Sequence, residues 1–534
     1  MNTKTASSYG SELDNMAALR ESVLRRVGIV GEVKEQELID HLESVSIDIK
    51  ELLCSSFGPS GLNKVIINHV GDIHLTSDGK TIIEEVDVLH PVVISLKSIA
   101  KAMDRATGDG TKTAMILATS MILKAVKLMR EGMHPTSIVK GYQMALNKAY
   151  EILEYESFPV ISPEETLSVV LNAALSKGLD YTKAKEIGDA VLEIVTNLER
   201  TKIEERLDLE ENVKILKKVG GPSFLKLTGV ILDETPARED MPYHLTNAQV
   251  LVLNYETKFK SSILNAQHNI RMDTWETSHL FEEELKMYVR EFANKIIATG
   301  ANAVFSEGDV DPSVEEMLAR KNILLFKKLK MKDLEKMARS TGASIVSIRD
   351  DILPQDLGMA DEIKVEKKNG EYFAFISVKD QPVSTIVIWE PFSYGLEKVE
   401  EAIDDALNNA AFMLKDRMVV KGGGWIEFQI AQMLKQYAST ISGKEQLAVI
   451  AYAQAIEEIP KILAENMGLN VIDTMVMMEN YYNLGVDARV DCLSKMTRNS
   501  SPVYDSAAVK KLAVISATDA TISVLRIDKI IPRK

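Results

Sequence analysis

Apolar residues recur every three or four positions through the first part of the chain, the spacing that gathers them on one face of an α-helix. The stretch "ALRESVLRRVGIVGEVKEQELIDHLESVSIDIKELL" carries such a stripe, and "TAMILATSMILKAVKLMREGM" is apolar nearly all round, which predicts a helix buried between others. From about Asn247 the texture changes. The runs "AQVLVLNYE", "ANAVFSEG", "NILLFKKL" and "ASIVSI" alternate with helical segments such as "HLFEEELKMYVREFANKIIATG" and "KDLEKMARSTG", which predicts an α/β unit with a largely parallel sheet. "EYFAFISVK" and "VSTIVIWE" read as further strands. After Pro391 helices return with "LEKVEEAIDDALNNAAFML" and persist to about Thr521, and a short strand, "VLRIDKII", is expected to close the chain. All-α texture thus brackets α/β texture, which points to a discontinuous helical domain with an α/β module inserted.

Composition narrows the class. A chain of 534 residues exceeds what one hydrophobic core organises, so two to four domains are expected, and a hydrophobic fraction of 46% can fill their cores. The formal net charge of -15 argues against nucleic acid or an acidic membrane surface as the main partner. Two cysteines, Cys54 and Cys492, cannot build a disulfide framework. The opening "MNTKTASSYGSELDNM" lacks the apolar core of a signal peptide, and no apolar run is long enough for a membrane span, so a reducing, cytoplasmic setting is the expectation.

Candidate chemistry lies in glycine-rich turns. "SSFGPSGLNKVIIN" (55–68) is not a Walker loop, because its lysine does not follow the last glycine after a four-residue spacer. It reads as a tight turn, Gly58-Pro59-Ser60-Gly61, between a helix and a β-branched run, where backbone N–H groups could meet a ligand. Taken alone, that stretch is better explained as an ordinary helix-to-strand turn, and only motifs elsewhere in the chain change that. "LTSDGKTII" places Asp78 and Gly79 in a strand-to-helix turn. "ATGDGTKTAMIL" places Gly108-Asp109-Gly110-Thr111 at the start of the buried helix, where unsatisfied N–H groups and the helix dipole suit phosphate oxygens. Asp109 suits Mg²⁺, a hard ion that takes one or two carboxylates together with phosphate oxygens; a simple helix cap is the alternative. In "VEEAIDDALNNA" the apolar face leaves Asp405 at its edge, and in "VVKGGGWIEF" Gly422, Gly423 and Gly424 permit close backbone approach.

Taken in order, FGPSGLNK, TSDGKT, GDGTKT, EEAIDDAL, KGGGWIE and LGVD resemble the group II chaperonins, the thermosome and the eukaryotic cytosolic ring chaperonin, over nearly the whole chain. "IPKILAENMGLN" and "SVLRIDKII" extend the likeness, and among eukaryotic paralogues "LNKVIINH" and the tail are most similar to the theta subunit. The resemblance implies a chaperonin fold. Its equatorial ATPase domain would be 1–150 and 400–534, its intermediate domain 151–218 and 370–399, and its apical α/β domain 219–369, with a lid protrusion in "NYETKFKSSILNAQHNIRMDTWETSHLF". It also implies an eight-membered double ring of paralogous subunits that encloses unfolded client proteins and closes on ATP hydrolysis. Carried over, Asp109 would hold Mg²⁺, and Asp78 and Asp405 would position the attacking water. Gly58, Pro59, Gly79, Gly108, Gly110, Thr111, Lys112 and Thr113 would face the nucleotide and its phosphates. Gly423 and Gly424 would lie against the sugar, Asp505 would reach the ribose or base, and Gly485 would contribute from its turn.

The chain departs from the family pattern at several points. It has Ser77 for Asn, Lys80 for Ala, Lys112 for Thr and Trp425 for Ala, while "SSPVYDSAAVKK" around Asp505 differs more broadly. Lys80 and Lys112 would add charge near the phosphates unless they point to solvent, and Trp425 would add bulk near the nucleoside. Two readings follow: an ATP-hydrolysing ring subunit, or a ring subunit that binds nucleotide but hydrolyses slowly, serving as scaffold and client surface. A stand-alone phosphotransferase would require an acceptor pocket that no motif encodes.

Overall fold

The structure is a computed structural model that describes residues 35–67, 73–160, 163–201, 209–220, 223–254, 275–347, 352–368, 370–379, 383–491, 496–498 and 503–529. The chain divides into two compact units, Met1–Leu192 with Glu397–Lys534, and Glu193–Leu396.

In the first unit, with elements numbered within it, the chain runs α1 (Glu35–Cys54), β1 (Lys64–Ile67), β2 (Ile73–Thr76), α2 (Gly79–Glu84), α3 (Pro91–Ala106), α4 (Thr111–Arg130), α5 (Pro135–Glu156), β3 (Phe158–Pro159) and α6 (Pro163–Ser176). It resumes with α7 (Ser393–Asp416), β4 (Met418–Lys421), α8 (Trp425–Ala438), α9 (Glu445–Ile456), α10 (Glu458–Asn466), α11 (Val471–Asn483), β5 (Arg489–Asp491), β6 (Met496–Arg498), β7 (Tyr504–Ser506) and α12 (Ala507–Leu525). The start signals are local. Proline stands at the first position of α3 and α5, where its missing N–H costs nothing, and His90 and His134 accept the amides of Val92 and Thr136 through Nδ1.

Helix α4 is the axis of this core, buried on every side as its sequence predicts. It packs against α1, α9 and α12, so segments from both ends of the chain close over it. Its buried carbonyls find donors beyond the helix ladder: the Tyr142 hydroxyl donates to Met121 O at 2.8 Å, and the Thr521 hydroxyl to Ala118 O at 3.3 Å. The expected closing strand is corrected here. Val524 and Leu525 are the last residues of α12 and are buried in the core, so the helical face extends through positions whose β-branched neighbours read as strand. Residues 530–534 lie outside the described residues.

The second unit carries a nine-stranded sheet. His244–Leu253, Ala303–Ser306, Leu324–Phe326 and Ile345–Val346 pair in parallel through helical crossovers, as the alternating runs predict. Most of the rest departs from a parallel sheet: His244–Leu253, Gly358–Lys368, Glu371–Ser377, Ser223–Leu232 and Ser384–Glu390 are successive antiparallel neighbours, and Val213–Val219 then pairs in parallel with Ser384–Glu390 at the edge. The tight turn at Gly370, whose φ of +90° suits glycine, returns the chain beside itself with no crossover helix between. Most of the segment expected to form the lid, 255–274, lies outside the described residues.

Candidate functional site

The glycine turns converge in the first unit on a cavity of about 440 Å³. Beyond α1 the chain turns at Gly58 (φ +76°), where a Cβ would come within 2.5 Å of Leu463 Cδ2. Side chains from distant segments hold the carbonyls of this turn: Asn466 Nδ2 donates to Cys54 O (2.7 Å) and Phe57 O (2.8 Å), and Lys112 Nζ to Ser56 O (2.8 Å). At the start of α4, Gly108 and Gly110 both have left-handed φ, and Gly110 is the helix cap with no side-chain bond. The first N–H groups of α4 have no acceptor within the helix, and the residues that carry them, Thr111, Lys112 and Thr113, line the cavity.

Three aspartates and a lysine gather at this end. Asp78 caps α2: its Oδ2 accepts the Thr81 amide at 2.9 Å and the Thr81 hydroxyl at 3.2 Å. Its Oδ1 lies 3.1 Å from Lys177 Nζ, which is also 3.0 Å from Asp405 Oδ2 on α7. Lys177, just past the end of α6, is 3% exposed and thus bridges the two carboxylates. Asp109 is not the cap of α4. Its Oδ1 accepts the amide of Gly110, and its Oδ2 accepts Asn409 Nδ2 at 2.7 Å. Asn409 stands one turn after Asp405 and also donates to the Asp405 carbonyl at 3.0 Å.

Proton affinities follow from this arrangement. Burial would raise the Asp78 carboxyl, but Lys177 and the Thr81 amide outweigh it and hold the group at about 2. Burial would lower Lys177, yet Asp405 and Asp78 keep it firmly protonated. Asp405 moves well above the carboxylate range, chiefly through burial and, despite Lys177, through the charges of Asp109 and Asp78. Burial brings Lys112 down to about 8, with Lys177 acting in the same direction.

At another part of the cavity Gly423 and Gly424 have φ of +64° and +79°. A Cβ on Gly424 would meet Pro460 at 2.9 Å, and one on Gly422 would meet Asp505 Oδ2 at 2.8 Å. The Asp505 carboxylate is 2.9 Å from Lys510 Nζ, which also donates to Glu427 Oε1 at 2.7 Å.

Of the residues expected in the site, Gly58, Pro59, Asp78, Gly79, Gly108, Asp109, Gly110, Thr111, Lys112, Thr113, Asp405, Gly423, Gly424 and Asp505 line the cavity together. Gly485 does not; it sits in the turn after α11, its amide bonded to Tyr482 O. Lys80 also stands apart from the lining, ion-paired at 2.6 Å with Asp104. Trp425 is no nucleoside neighbour either. It is 2% exposed and stacks on Phe428 at 5.8 Å in the helical core, since the left-handed Gly424 starts α8 with its apolar face inward. Sequence reasoning missed Lys177, Asn409, Arg489 and Asp491, all on the lining. Asn409 carried a signal, its i+4 spacing from Asp405. Lys177 carried none: a lysine before Gly178 looks like an ordinary helix end.

The arrangement suits a polyphosphate. It offers a helix N-terminus and glycine backbone for anionic oxygens, a buried ammonium, and a hard carboxylate donor in Asp109 whose orientation Asn409 fixes, so the residues present fit both ATP and Mg²⁺. Residues 49–534 match the TCP-1/cpn60 chaperonin family, and the chain belongs to that family, whose members hydrolyse ATP. Its relatives place it with the group II chaperonins. It is 35% identical over 492 residues to a thermosome subunit of Methanopyrus kandleri, covering 90% of each chain. It is 34% identical over 491 residues to the thermosome beta subunit of Methanothermobacter thermautotrophicus, and 35% over 500 residues to the thermosome alpha subunit of Aeropyrum pernix, in each case covering 90% of this chain and 89% of the relative. Among the described residues, no helix is long and apolar enough to cross a membrane.

Proposed function

We propose that this chain is one subunit of a cytoplasmic, hetero-oligomeric chaperonin whose two eight-membered rings of paralogous subunits enclose unfolded client proteins, with Mg-ATP hydrolysis in this cavity driving closure of an apical lid. The three-domain division at 1–150 and 400–534, 151–218 and 370–399, and 219–369 belongs to this reading, and so does the kinship with the theta subunit. The observation that carries it is the Lys177 bridge between Asp78 and Asp405, set beside the open N-terminus of α4.

In this mechanism the glycine turns and the first amides of α4 hold the phosphates, with Thr111, Lys112 and Thr113 alongside. Gly423, Gly424 and Asp505 receive the nucleoside. Asp109, oriented by Asn409, is the ligand for Mg²⁺, which when bound neutralises phosphate charge. Asp78, held low, stays ionised and orients the attacking water. Asp405, whose affinity for a proton is raised, accepts that water's proton. Lys177 between them offsets charge that builds on the transferred phosphoryl oxygens.

The slow-hydrolysing alternative now rests on Lys112 alone, because Lys80 pairs with Asp104 and Trp425 is core. Single-turnover ATP cleavage by this subunit, in an assembled complex whose other subunits are silenced, tests both readings. Asp405→Ala should bind ATP and cleave it about 10²-fold more slowly, the scale of a lost general base. Near-normal cleavage by that variant would sink the catalytic role of Asp405, and no cleavage by the unaltered subunit would favour the scaffold.

A further inference from the structure

Glu401, a half-buried acid near the cavity, has no part in that mechanism. It lies on α7 one turn before Asp405 and is not on the cavity lining. Its Oε1 accepts the Thr76 hydroxyl at 3.0 Å, and Thr76 Oγ1 in turn accepts the backbone N–H of Asp78 at 2.9 Å. Thr76 is the last residue of β2 and only 3% exposed. The other carboxylate oxygen of Glu401 is buried and finds no hydrogen-bond donor among the described residues.

Two links therefore join the Asp78 turn to α7, and they differ in kind. The Lys177 bridge runs through the cavity, where phosphate oxygens would compete for its ammonium. Thr76 and Glu401 are both outside the cavity lining, so phosphate oxygens do not compete for the hydrogen bond between them. The Thr81 bonds fix the Asp78 carboxylate only relative to α2, a helix of six residues. A connection to α7 is what sets its spacing from Asp405.

We infer that Glu401 is a positioning residue for ATP hydrolysis: through the Thr76 hydroxyl it ties the Asp78 turn to the helix that carries Asp405, so the two carboxylates keep the separation an attacking water requires. The inference rests on the reading that Asp78 and Asp405 act on that water. Misplacing such a group by a fraction of an ångström slows the chemical step while leaving nucleotide contacts intact.

The test measures single-turnover cleavage and Mg-ATP affinity in the assembled complex for Thr76→Val, Thr76→Ser, Glu401→Ala, Glu401→Gln and the double variant Thr76→Val/Glu401→Ala. Thr76→Val and Glu401→Ala should each slow cleavage by about tenfold or more with affinity changed by less than about twofold. The double variant should be no slower than either single one, because both break one chain of bonds. Thr76→Ser, which keeps the hydroxyl, and Glu401→Gln, whose amide oxygen still accepts from it, should recover most of the loss. Normal cleavage by Thr76→Val, additive losses in the double variant, or a Glu401→Gln as slow as Glu401→Ala would each overturn the inference. Asp78→Asn separates the two levels. If it is slow while Thr76→Val is normal, only the inference fails; if it cleaves normally, the functional reading fails and takes the inference with it.

Discussion

Lys112 gives the sharpest quantitative test of the site. Its ammonium is buried, donates to the Ser56 carbonyl and sits at about 8 rather than the ordinary 10.5. The displacement of roughly 2.5 units is a net cost of about 3 kcal/mol at pH values where the group is protonated, burial and Lys177 together outweighing the nearby aspartates. The sign follows. The unfolded chain binds the proton more tightly than the folded one, so this penalty is complete below pH 8 and is relieved as pH rises from 8 toward 10.5. Lys112→Met should therefore stabilise the nucleotide-free protein near neutrality, by less than about 3 kcal/mol because the Ser56 carbonyl loses its donor.

Phosphates arriving beside Lys112 restore the value of its charge, so nucleotide binding should draw a proton from solution. Without ligand the group is deprotonated to about one tenth at pH 7, one half at pH 8 and nine tenths at pH 9, and uptake should follow that series if the phosphates lift it back above 10. Binding calorimetry in buffers of differing ionisation enthalpy reads the uptake directly. Lys112→Met should abolish the pH-dependent part. Equal uptake at pH 9 by wild type and Lys112→Met, with both binding ATP, would show that Lys112 does not meet the phosphates.

Asp109→Ala should weaken Mg-ATP binding more than metal-free ATP binding; equal losses in a titration would remove Asp109 as the metal ligand. Lys177→Met leaves Asp78 and Asp405 facing each other without their cation and should destabilise the subunit by about 3 to 5 kcal/mol, read by denaturant unfolding, a loss that Asp78→Asn in the same chain should partly reverse. Asp78, held at about 2, contributes about 2 kcal/mol that is complete above its ordinary 3.8 and is lost as pH falls from there toward 2. Asp78→Asn should flatten the acid limb of a stability curve over that interval.

Much of this was legible where one physical signal dominates. Helix α4 announced itself by apolar residues on all faces, and the parallel strands by short apolar runs between helices. Glycines that only a turn or a close approach explains marked Asp78 and Asp109. What stayed hidden depends on geometry across the chain. Lys177 acquires its role only when the end of α6 meets two carboxylates from elsewhere in the sequence. Glu401 and Thr76 are 325 positions apart. Trp425 was misplaced, and Lys80 was left between phosphates and solvent, because a position beside a glycine turn says nothing about which way the side chain leaves it: Trp425 turns into the core and Lys80 out to Asp104. The antiparallel half of the sheet was missed since alternation of strand and helix covers only part of it.

The packing of α12 against α4 also sets an order of events during synthesis. Ala118 on α4 accepts from Thr521 on α12, two residues 403 positions apart. At roughly 5 to 20 residues per second, ribosomes take on the order of 20 to 80 seconds to cover that interval. For that time α4, buried in the folded core, has emerged while its covering helix does not yet exist, and for most of it Asp405 is missing as well. This chain of the chaperonin family is thus itself a long-waiting nascent chain, its central helix open to capture by chaperones until α12 leaves the ribosome.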